Sequence, residues 1–286
     1  MHIRPLTSGI GGEVSGVDLG ADLDEETVAG LRQGLLDHLV LFFRGQDITP
    51  VQQLRFAERF APVMLPLIDT LSTDQPGVTV LDTASPKGQY TEYWHSDSTF
   101  LPAPPLGAVL RAVTLPSLGG DTCWASMYAA YDALSATMQQ FLEGLTALHS
   151  MEILDAALNA LGGVVRRDRD IAPSVHPVVR VHPETGRKLL FVNRNFTTRI
   201  VELAPAESRA LLALLFAHIN TPAFHVRFRW EVNSVALWDN RCTQHCAIPD
   251  YNERRVMNRC LLQGDRPIGA GERLTADRRD HQDTHA

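Results

Sequence analysis

The stretch Trp94-His95-Ser96-Asp97, at residues 94–97, has its counterpart late in the chain in Trp238-Asp239-Asn240-Arg241-Cys242-Thr243-Gln244-His245, at residues 238–245. If the first stretch is a strand, His95 and Asp97 point to the same face. A second strand ending near 240 would deliver His245 from the far side of a barrel. Because two imidazoles and one carboxylate fill one face of a six-coordinate Fe(II), the pattern predicts an iron site inside a β barrel.

Other interpretations of these residues stay open from residue types alone. The His-x-Asp triplet is also compatible with a polar strand end at the surface, and His245 with a hydrogen-bonded histidine in a loop. A sharper rival is a structural zinc site, since Cys242, His245, Cys246 and Cys260 offer four soft ligands. Structural zinc sites usually combine two close ligand pairs, and the sequence has no second pair.

Two arginines follow the second stretch closely. Arg255 and Arg259 are four residues apart, so both side chains face the same side of a strand. A buried arginine requires an anionic partner, because an unpaired buried charge is too costly. The spacing therefore predicts an anion pocket beside the metal, and the alternative is a pair of solvated surface arginines.

Composition excludes several classes of function. The chain has 286 residues, of which 44% are hydrophobic, and its formal net charge of -7 gives no basic surface for nucleic acid. Neither a signal peptide nor an apolar run of roughly 20 residues is visible, so we expect no membrane association and a cytoplasmic protein. Four cysteines in a chain of this length are compatible with reduced thiols.

Hydrophobic patterns predict a strand, helix, strand, helix opening followed by a strand-rich body. We expect residues 1–267 to form a single domain, with irregular segments near 64–93 and 151–175 acting as lids, and 268–286 to be a disordered tail. The predicted helices are 27–38, 50–60, 126–142 and 204–218, and the predicted strands are 39–43, 78–81, 94–97, 108–114, 177–181, 188–192, 224–230, 234–238 and 255–263.

Several motifs in one order resemble a known family, the iron(II)/2-oxoglutarate-dependent taurine dioxygenases. The resemblance extends from about Leu6 to Pro267. The motifs are the two stretches quoted first, the turn Gly119-Gly120-Asp121-Thr122-Cys123-Trp124, the segment 176–186, the segment Phe196-Thr197-Thr198-Arg199-Ile200, and the residues from His245 to Arg259.

The resemblance implies a mainly β protein with flanking helices, a cupin-like double-stranded β-helix or jelly roll. It implies that His95, Asp97 and His245 hold Fe(II), with 2-oxoglutarate and O2 as co-substrates. Thr122 and Arg255 would bind the distal carboxylate of 2-oxoglutarate, since a planar guanidinium suits a carboxylate. A dimer or tetramer is also expected. The remaining implied contacts are those of a small anionic substrate, namely Arg259, Phe196 and Thr91, and the alternative for Phe196 is a core aromatic residue.

The sequence departs from the taurine enzyme at three positions that hold taurine there. Pro66, Asp69 and Thr91 stand at these positions, so taurine is not the expected substrate. The expected reaction hydroxylates a sulfonate, sulfate ester or aryloxyalkanoate and releases succinate and CO2, and collapse to a carbonyl product follows if the hydroxylated carbon carries a heteroatom group. The alternatives are a non-catalytic anion-binding protein and a zinc-stabilised β-barrel.

Overall fold

The computed structural model describes residues 1–65, 75–84, 92–153, 155–156 and 171–272. Helices within these ranges are α1 Glu25–His38, α2 Pro50–Glu58, α3 Met127–Asp132, α4 Ala136–Glu143 and α5 Pro205–Ile219, with a 3-10 helix at Pro222–Phe224. Strands within the same ranges are β1 His2–Pro5, β2 Gly12–Ser15, β3 Val40–Phe43, β4 Thr79–Asp82, β5 Gly107–Thr114, β6 Thr122–Ser126, β7 Thr146–His149, β8 Ser174–Pro177, β9 Val179–Val181, β10 Lys188–Leu190, β11 Thr197–Ile200, β12 His225–Phe228, β13 Val235–Asp239, β14 Thr243–Ala247, β15 Val256–Leu262 and β16 Ile268–Gly269.

The strands form one large sheet and three small ones. The large sheet has the order β1-β2-β3-β13-β5-β15-β4, and its pairs are antiparallel except for β2 with β3. The small sheets have the orders β12-β6-β14, β11-β7-β8 and β10-β9-β16. Neighbours from β3 to β4 in this order are far apart in sequence, as crossing connections between two layers require.

Alternation along β3 and β13 divides the large sheet into two buried faces. Phe42 and Trp238 belong to a core cluster that continues into the small sheet of β12, β6 and β14. Leu41 and Phe43, one residue away on β3, belong to a second cluster with α1 and α2. Because successive strand residues point to opposite faces, one sheet separates the β interior from a helical outer layer.

Local signals set the bounds of the outer helices. Asp24 caps α1 by accepting a hydrogen bond from the Thr27 backbone amide, and the helix ends where Leu39 adopts the left-handed conformation, with φ of 65°. Thr49 and Gln52 form a capping box at the start of α2. No described helix has the length and apolar character needed to cross a membrane.

Two predicted elements were wrong. The predicted helix 126–142 is two helices, because Ser135 accepts a hydrogen bond from the Met138 amide and starts a new one. Residues 94–97 are not a strand: His95 makes a single bridge and Asp97 begins a turn. The predicted tail from 268 begins with β16, paired with β9. The predicted strand 78–81 is present as β4, within the segment 64–93. Residues 66–74, 85–91, 154, 157–170 and 273–286, which make up most of the predicted lids and tail, lie outside the described residues.

Candidate metal and co-substrate site

Two histidines face each other across one backbone bridge. The amide of His95 donates to the His245 carbonyl at 3.1 Å, and the amide of His245 donates back to the His95 carbonyl at 2.8 Å. This reciprocal pair is the hydrogen-bonded pair of an antiparallel ladder, so the two side chains lie on the same face. Their ring centroids are 4.3 Å apart.

Asp97 completes a buried cluster with these histidines. Its Oδ1 lies 3.9 Å from His95 Nε2 and its Oδ2 lies 3.9 Å from His245 Nε2. Ligand atoms of the three residues all lie within 4.8 Å of one another. The turn that starts at Asp97 replaces the predicted strand, and it still brings the carboxylate to the two imidazoles.

Hydrogen bonding fixes which nitrogen of His95 can bind a cation. The Nδ1 atom of His95 lies 2.7 Å from the Tyr93 carbonyl oxygen, which can only accept, so Nδ1 carries the proton. The lone pair is left on Nε2, the atom that faces Asp97. Burial lowers the pKa of His95, and burial together with the neighbouring His95 lowers the pKa of His245 to about 3. Both imidazoles are therefore neutral, as metal ligands must be.

The Asp97 carboxylate is charged and incompletely partnered. Burial acts to raise the pKa of Asp97, but the net shift is downward, and the charge of Arg259 is the largest lowering cause. Arg259 donates to Asp97 Oδ1 at 3.1 Å, while Asp97 Oδ2 is buried without a hydrogen-bond partner. A buried carboxylate oxygen left without a partner is costly, and a divalent cation between it and the imidazoles would satisfy it. The donor set fits Fe(II).

Thr122, the first residue of β6, lies beside Arg255, with which it was expected to share a carboxylate. The Nη2 atom of Arg255 lies 3.4 Å from Thr122 Oγ1, and the same oxygen accepts a hydrogen bond from Trp230 Nε1 at 2.9 Å. Both lone pairs of the hydroxyl are then engaged, so its proton is free to donate to an anion. Arg255 Nε is buried without a partner, and burial lowers the pKa of the Arg255 guanidinium. Both groups therefore still have a donor to offer a carboxylate.

Phe196 belongs to a small buried apolar cluster. Its ring lies 5.1 Å from that of Phe100 in an edge-to-face arrangement, and Met151 completes the buried part of the cluster. Phe100 is three residues after Asp97 in the sequence. Thr91, Pro66 and Asp69 lie outside the described residues.

Two residues that sequence reasoning did not assign to the site prove to support it. The sequence indicated no specific contact for Trp230, and Asn240 was quoted only as part of a motif. The Asn240 side chain accepts from the Asp97 amide at 2.7 Å and donates to the Asp97 carbonyl at 3.0 Å. Their partners are more than a hundred positions away, so no local pattern could have revealed these contacts.

The structure does not assemble the four ligands of the rival zinc site. His245 and Cys246 are consecutive in β14 and point to opposite faces, and Cys246 lies directly across from Cys123 on β6. Cys260 is in the core beneath the helices, whereas Cys242 is in the other core cluster. The zinc-stabilised barrel was therefore a wrong alternative for these cysteines.

A second group of buried residues has metal-ligand spacing, namely His182, Asp239 and Cys242. The Nδ1 atom of His182 accepts from the amides of Glu184 and Thr185, so Nε2 carries the proton and donates to Asp239 at 3.0 Å. Arg241 contacts both carboxylate oxygens of Asp239, with a shortest distance of 2.6 Å. A cation would have to displace these donors and lie beside a guanidinium, so this group is an ion-pair network.

Comparison with known proteins relates the chain to one family. The model of the family described as "Taurine catabolism dioxygenase TauD, TfdA family" matches residues 2–261. An alkylsulfatase of Acinetobacter baylyi is 38% identical over 281 residues, covering 94% of this chain and 87% of the relative. An alpha-ketoglutarate-dependent sulfate ester dioxygenase of Pseudomonas putida is 36% identical over 285 residues, covering 96% and 93%.

A solved structure agrees at the level of the fold. The crystal structure of AAD-2 in complex with Mn(II) and N-oxalylglycine superposes with a TM-score of 0.80 at 30% identity, covering 93% of this chain and 98% of the other. The predicted architecture, a jelly roll with flanking helices, is confirmed by this agreement together with the family match.

Proposed function

The chain belongs to the taurine catabolism dioxygenase TauD, TfdA family, and on that premise we propose that it oxidises an organic sulfate ester with Fe(II), 2-oxoglutarate and O2. Its class is that of the alpha-ketoglutarate-dependent dioxygenases, which are oxidoreductases. In this proposal His95, Asp97 and His245 hold the iron. One observation carries it: Asp97 Oδ2 is a buried carboxylate oxygen without a hydrogen-bond partner, and it faces an imidazole.

When bound, Fe(II) with 2-oxoglutarate and O2 supplies an oxidation in which decarboxylation to succinate and CO2 is coupled to insertion of oxygen into a substrate C–H bond. The protein orients the reactants and excludes water. Tyr93 supports this by holding the proton of His95 on Nδ1, which keeps Nε2 available.

Thr122 and Arg255 would bind the distal carboxylate of 2-oxoglutarate. The hydroxyl of Thr122 has a free proton, because Trp230 and Arg255 both donate to its oxygen. Arg255 adds a planar donor group that can hold a carboxylate through two hydrogen bonds. N-oxalylglycine, the compound bound to the related AAD-2, has the same two carboxylates as 2-oxoglutarate at the same separation.

The substrate proposal combines one cation with one apolar wall. Arg259 is partly exposed and would hold the sulfate, while Phe100, Met151 and Phe196 offer an apolar surface to a hydrocarbon group. Relatives named for alkyl sulfates and sulfate esters favour a sulfate ester over the other anions. Hydroxylation of the carbon that bears the ester oxygen would give an unstable product, which releases sulfate and leaves an aldehyde.

Three further points stay predictions within this proposal. Thr91, Pro66 and Asp69 would select the substrate, and segments near 64–93 and 151–175 would cover it. A dimer or tetramer is retained from the family resemblance. The expected setting is cytoplasmic, where the four cysteines would remain reduced.

The test is a matched pair of substrates of equal chain length. Octyl sulfate and octane-1-sulfonate differ only by the ester oxygen, and an aryloxypropionate serves as a third arm. We expect succinate, sulfate and octanal in equal amounts from octyl sulfate, with kcat/KM at least about 10-fold above the other two anions. A preference for the sulfonate or the aryloxypropionate would overturn the substrate, and no succinate with any anion would overturn the function.

A further inference from the structure

We propose that Asn240 is a positioning residue that sets the orientation of the Asp97 carboxylate toward the metal. This inference rests on the proposed metal triad, and it assigns a role to a side chain that touches neither metal nor substrate. Asn240 is 1% exposed and lies directly after the end of β13.

The side chain of Asn240 makes two hydrogen bonds to the backbone of Asp97. Asn240 Oδ1 accepts a hydrogen bond from the Asp97 amide at 2.7 Å, and Asn240 Nδ2 donates to the Asp97 carbonyl at 3.0 Å. One side-chain amide thus takes both backbone polar groups of one residue, as a neighbouring strand would do. Two hydrogen bonds in different directions fix the backbone of Asp97 against rotation as well as translation.

Asp97 needs such a partner because no strand holds it. Only His95 pairs with β14, and Asp97 opens a turn in which Ser98 has a φ of 51°, in the left-handed region. The residue between them, Ser96, is held by one side-chain bond to the Thr243 carbonyl at 2.8 Å. His95 is therefore positioned by backbone pairing and Asp97 by a side chain of another segment.

Asn240 is itself rigidly placed. Its amide donates to the Leu106 carbonyl at 2.8 Å, and its Nδ2 donates a second bond to the Pro105 carbonyl at 3.1 Å. The preceding residue, Asp239, is fully buried and bound by Arg241 and His182. Through Asn240, the backbone of Asp97 is thus held in a fixed position relative to the end of β13, a central strand of the large sheet.

Residues that orient a metal ligand typically change metal affinity or activity by about 10- to 100-fold when they are removed. A purely structural residue would lower stability without this effect. The described chain offers a matched control in Gln53, a buried amide on α2. Its Nε2 donates to the carbonyls of Val109 and Asn258 at 3.1 and 2.9 Å, the same number of backbone bonds that Asn240 Nδ2 donates.

The experiment compares Asn240→Ala with Gln53→Ala in the full-length protein. Mn(II) binding is titrated by electron paramagnetic resonance without 2-oxoglutarate, and the melting temperature of each metal-free protein is measured in parallel. We expect both variants to lose stability, but only Asn240→Ala to weaken Mn(II) binding, by about 10- to 100-fold. Asn240→Ser, which is smaller but still polar, serves as a second variant if the alanine variant does not fold.

The outcomes separate this inference from the proposed function. If wild-type protein binds Mn(II) and Asn240→Ala and Asn240→Ser bind it equally well, the positioning role is overturned while the triad stands. Equal weakening by Gln53→Ala would also overturn it, because the loss would then follow stability. If the wild-type protein binds no Mn(II), the proposed metal site fails first.

Discussion

Among the described residues, two buried groups each combine an aspartate and a histidine with a third potential ligand at metal-binding spacing, and only one of them fits a cation. His95, Asp97 and His245 leave Asp97 Oδ2 without a hydrogen-bond partner. In the second group both oxygens of Asp239 are taken, by Arg241 and by His182. Burial alone would raise the pKa of Asp239, but Arg241 and His182 hold it well below its usual value.

The difference teaches that residue types and spacing do not define a metal site. What distinguishes the two groups is the hydrogen-bonding capacity that the protein leaves unused. Arg259 makes one contact with Asp97, whereas Arg241 approaches Asp239 through three nitrogen atoms including its backbone amide. A carboxylate already neutralised by a guanidinium has little to gain from a metal, while one with a free oxygen does.

The largest effect should follow from Asp97→Ala. Without the only carboxylate of the triad we expect Fe(II) binding and succinate formation to be abolished together, since two imidazoles alone leave the cation poorly held. Metal content by mass spectrometry and turnover with 2-oxoglutarate measure the two losses. Persisting activity would show that the ligand assignment is wrong, and far-UV circular dichroism serves as the control for folding.

Asp239→Asn should lower stability and leave metal binding intact. Removing the Asp239 charge leaves Arg241 with Glu184, 2.7 Å from its Nη1, as its remaining carboxylate, so we expect the free energy of unfolding to fall by about 3 kcal/mol, the lower end for a broken buried ion pair. Metal stoichiometry should remain that of the wild-type protein. Urea denaturation and metal analysis are the measurements. Loss of metal at unchanged stability would instead place a cation in the second group and break the comparison.

Stability should fall at acidic pH, because some buried histidines stay neutral in the folded protein. Burial lowers the pKa of His176 to about 4 and, with His95, that of His245 to about 3, against an ordinary value of 6.5. Below pH 6.5 the unfolded chain therefore binds protons that the folded chain does not. The stability of the metal-free protein is full above pH 6.5 and falls toward the folded pKa values, by about 1.4 kcal/mol per pH unit for each histidine.

His176→Gln isolates one of these contributions. A glutamine can still donate to the Thr99 and Leu101 carbonyls, which His176 Nε2 contacts at 2.9 and 3.0 Å. Urea denaturation between pH 7 and 4 should give a slope that is shallower by about 1.4 kcal/mol per pH unit in the variant. An unchanged slope would mean that His176 titrates normally in the folded protein.

The smallest effect is expected from Cys242→Ala. Burial, followed by the charge of Asp239, raises the pKa of Cys242 well above its usual value, so the residue is a neutral thiol that packs as a small apolar side chain. We expect a stability loss of about 1 kcal/mol and unchanged metal content. Thermal unfolding and metal analysis check both, and a lower metal content would assign a ligand role to the thiol.

Local parts of this structure could be predicted from sequence because their causes are local. The cap at Asp24 and the run Val40–Phe43 depend on neighbouring residues, and the structure places α1 and β3 there. The split of the predicted helix at Ser135 shows the limit, since hydrophobic spacing continued across it while a side-chain cap started a new helix. Strand β14 was also missed, because its five residues do not alternate between apolar and polar.

In the candidate site too, some features could be predicted from the sequence and others could not. The ligand types and the two arginines were visible as residues with a known chemistry, and Thr122 was implied by the family resemblance; the structure pairs Thr122 with Arg255 and Arg259 with Asp97. The contacts of Asn240 and Trp230 were not visible, because each depends on a partner more than a hundred positions away and on one rotamer. The hydrogen bonds that occupy both oxygens of Asp239 could not be predicted for the same reason. Sequence alone therefore could not tell which of the two groups is able to bind a metal.

The bridge between His95 and His245 has a consequence for chain entropy. The two residues are about 150 positions apart in sequence, and they are joined by two backbone hydrogen bonds. A metal held by both imidazoles would act as a cross-link that closes a very long loop, in the manner of a disulfide, and the entropy of closing such a loop grows only slowly with its length. Metal binding would then contribute to the folding free energy, because the bound iron would join two segments that are distant in sequence.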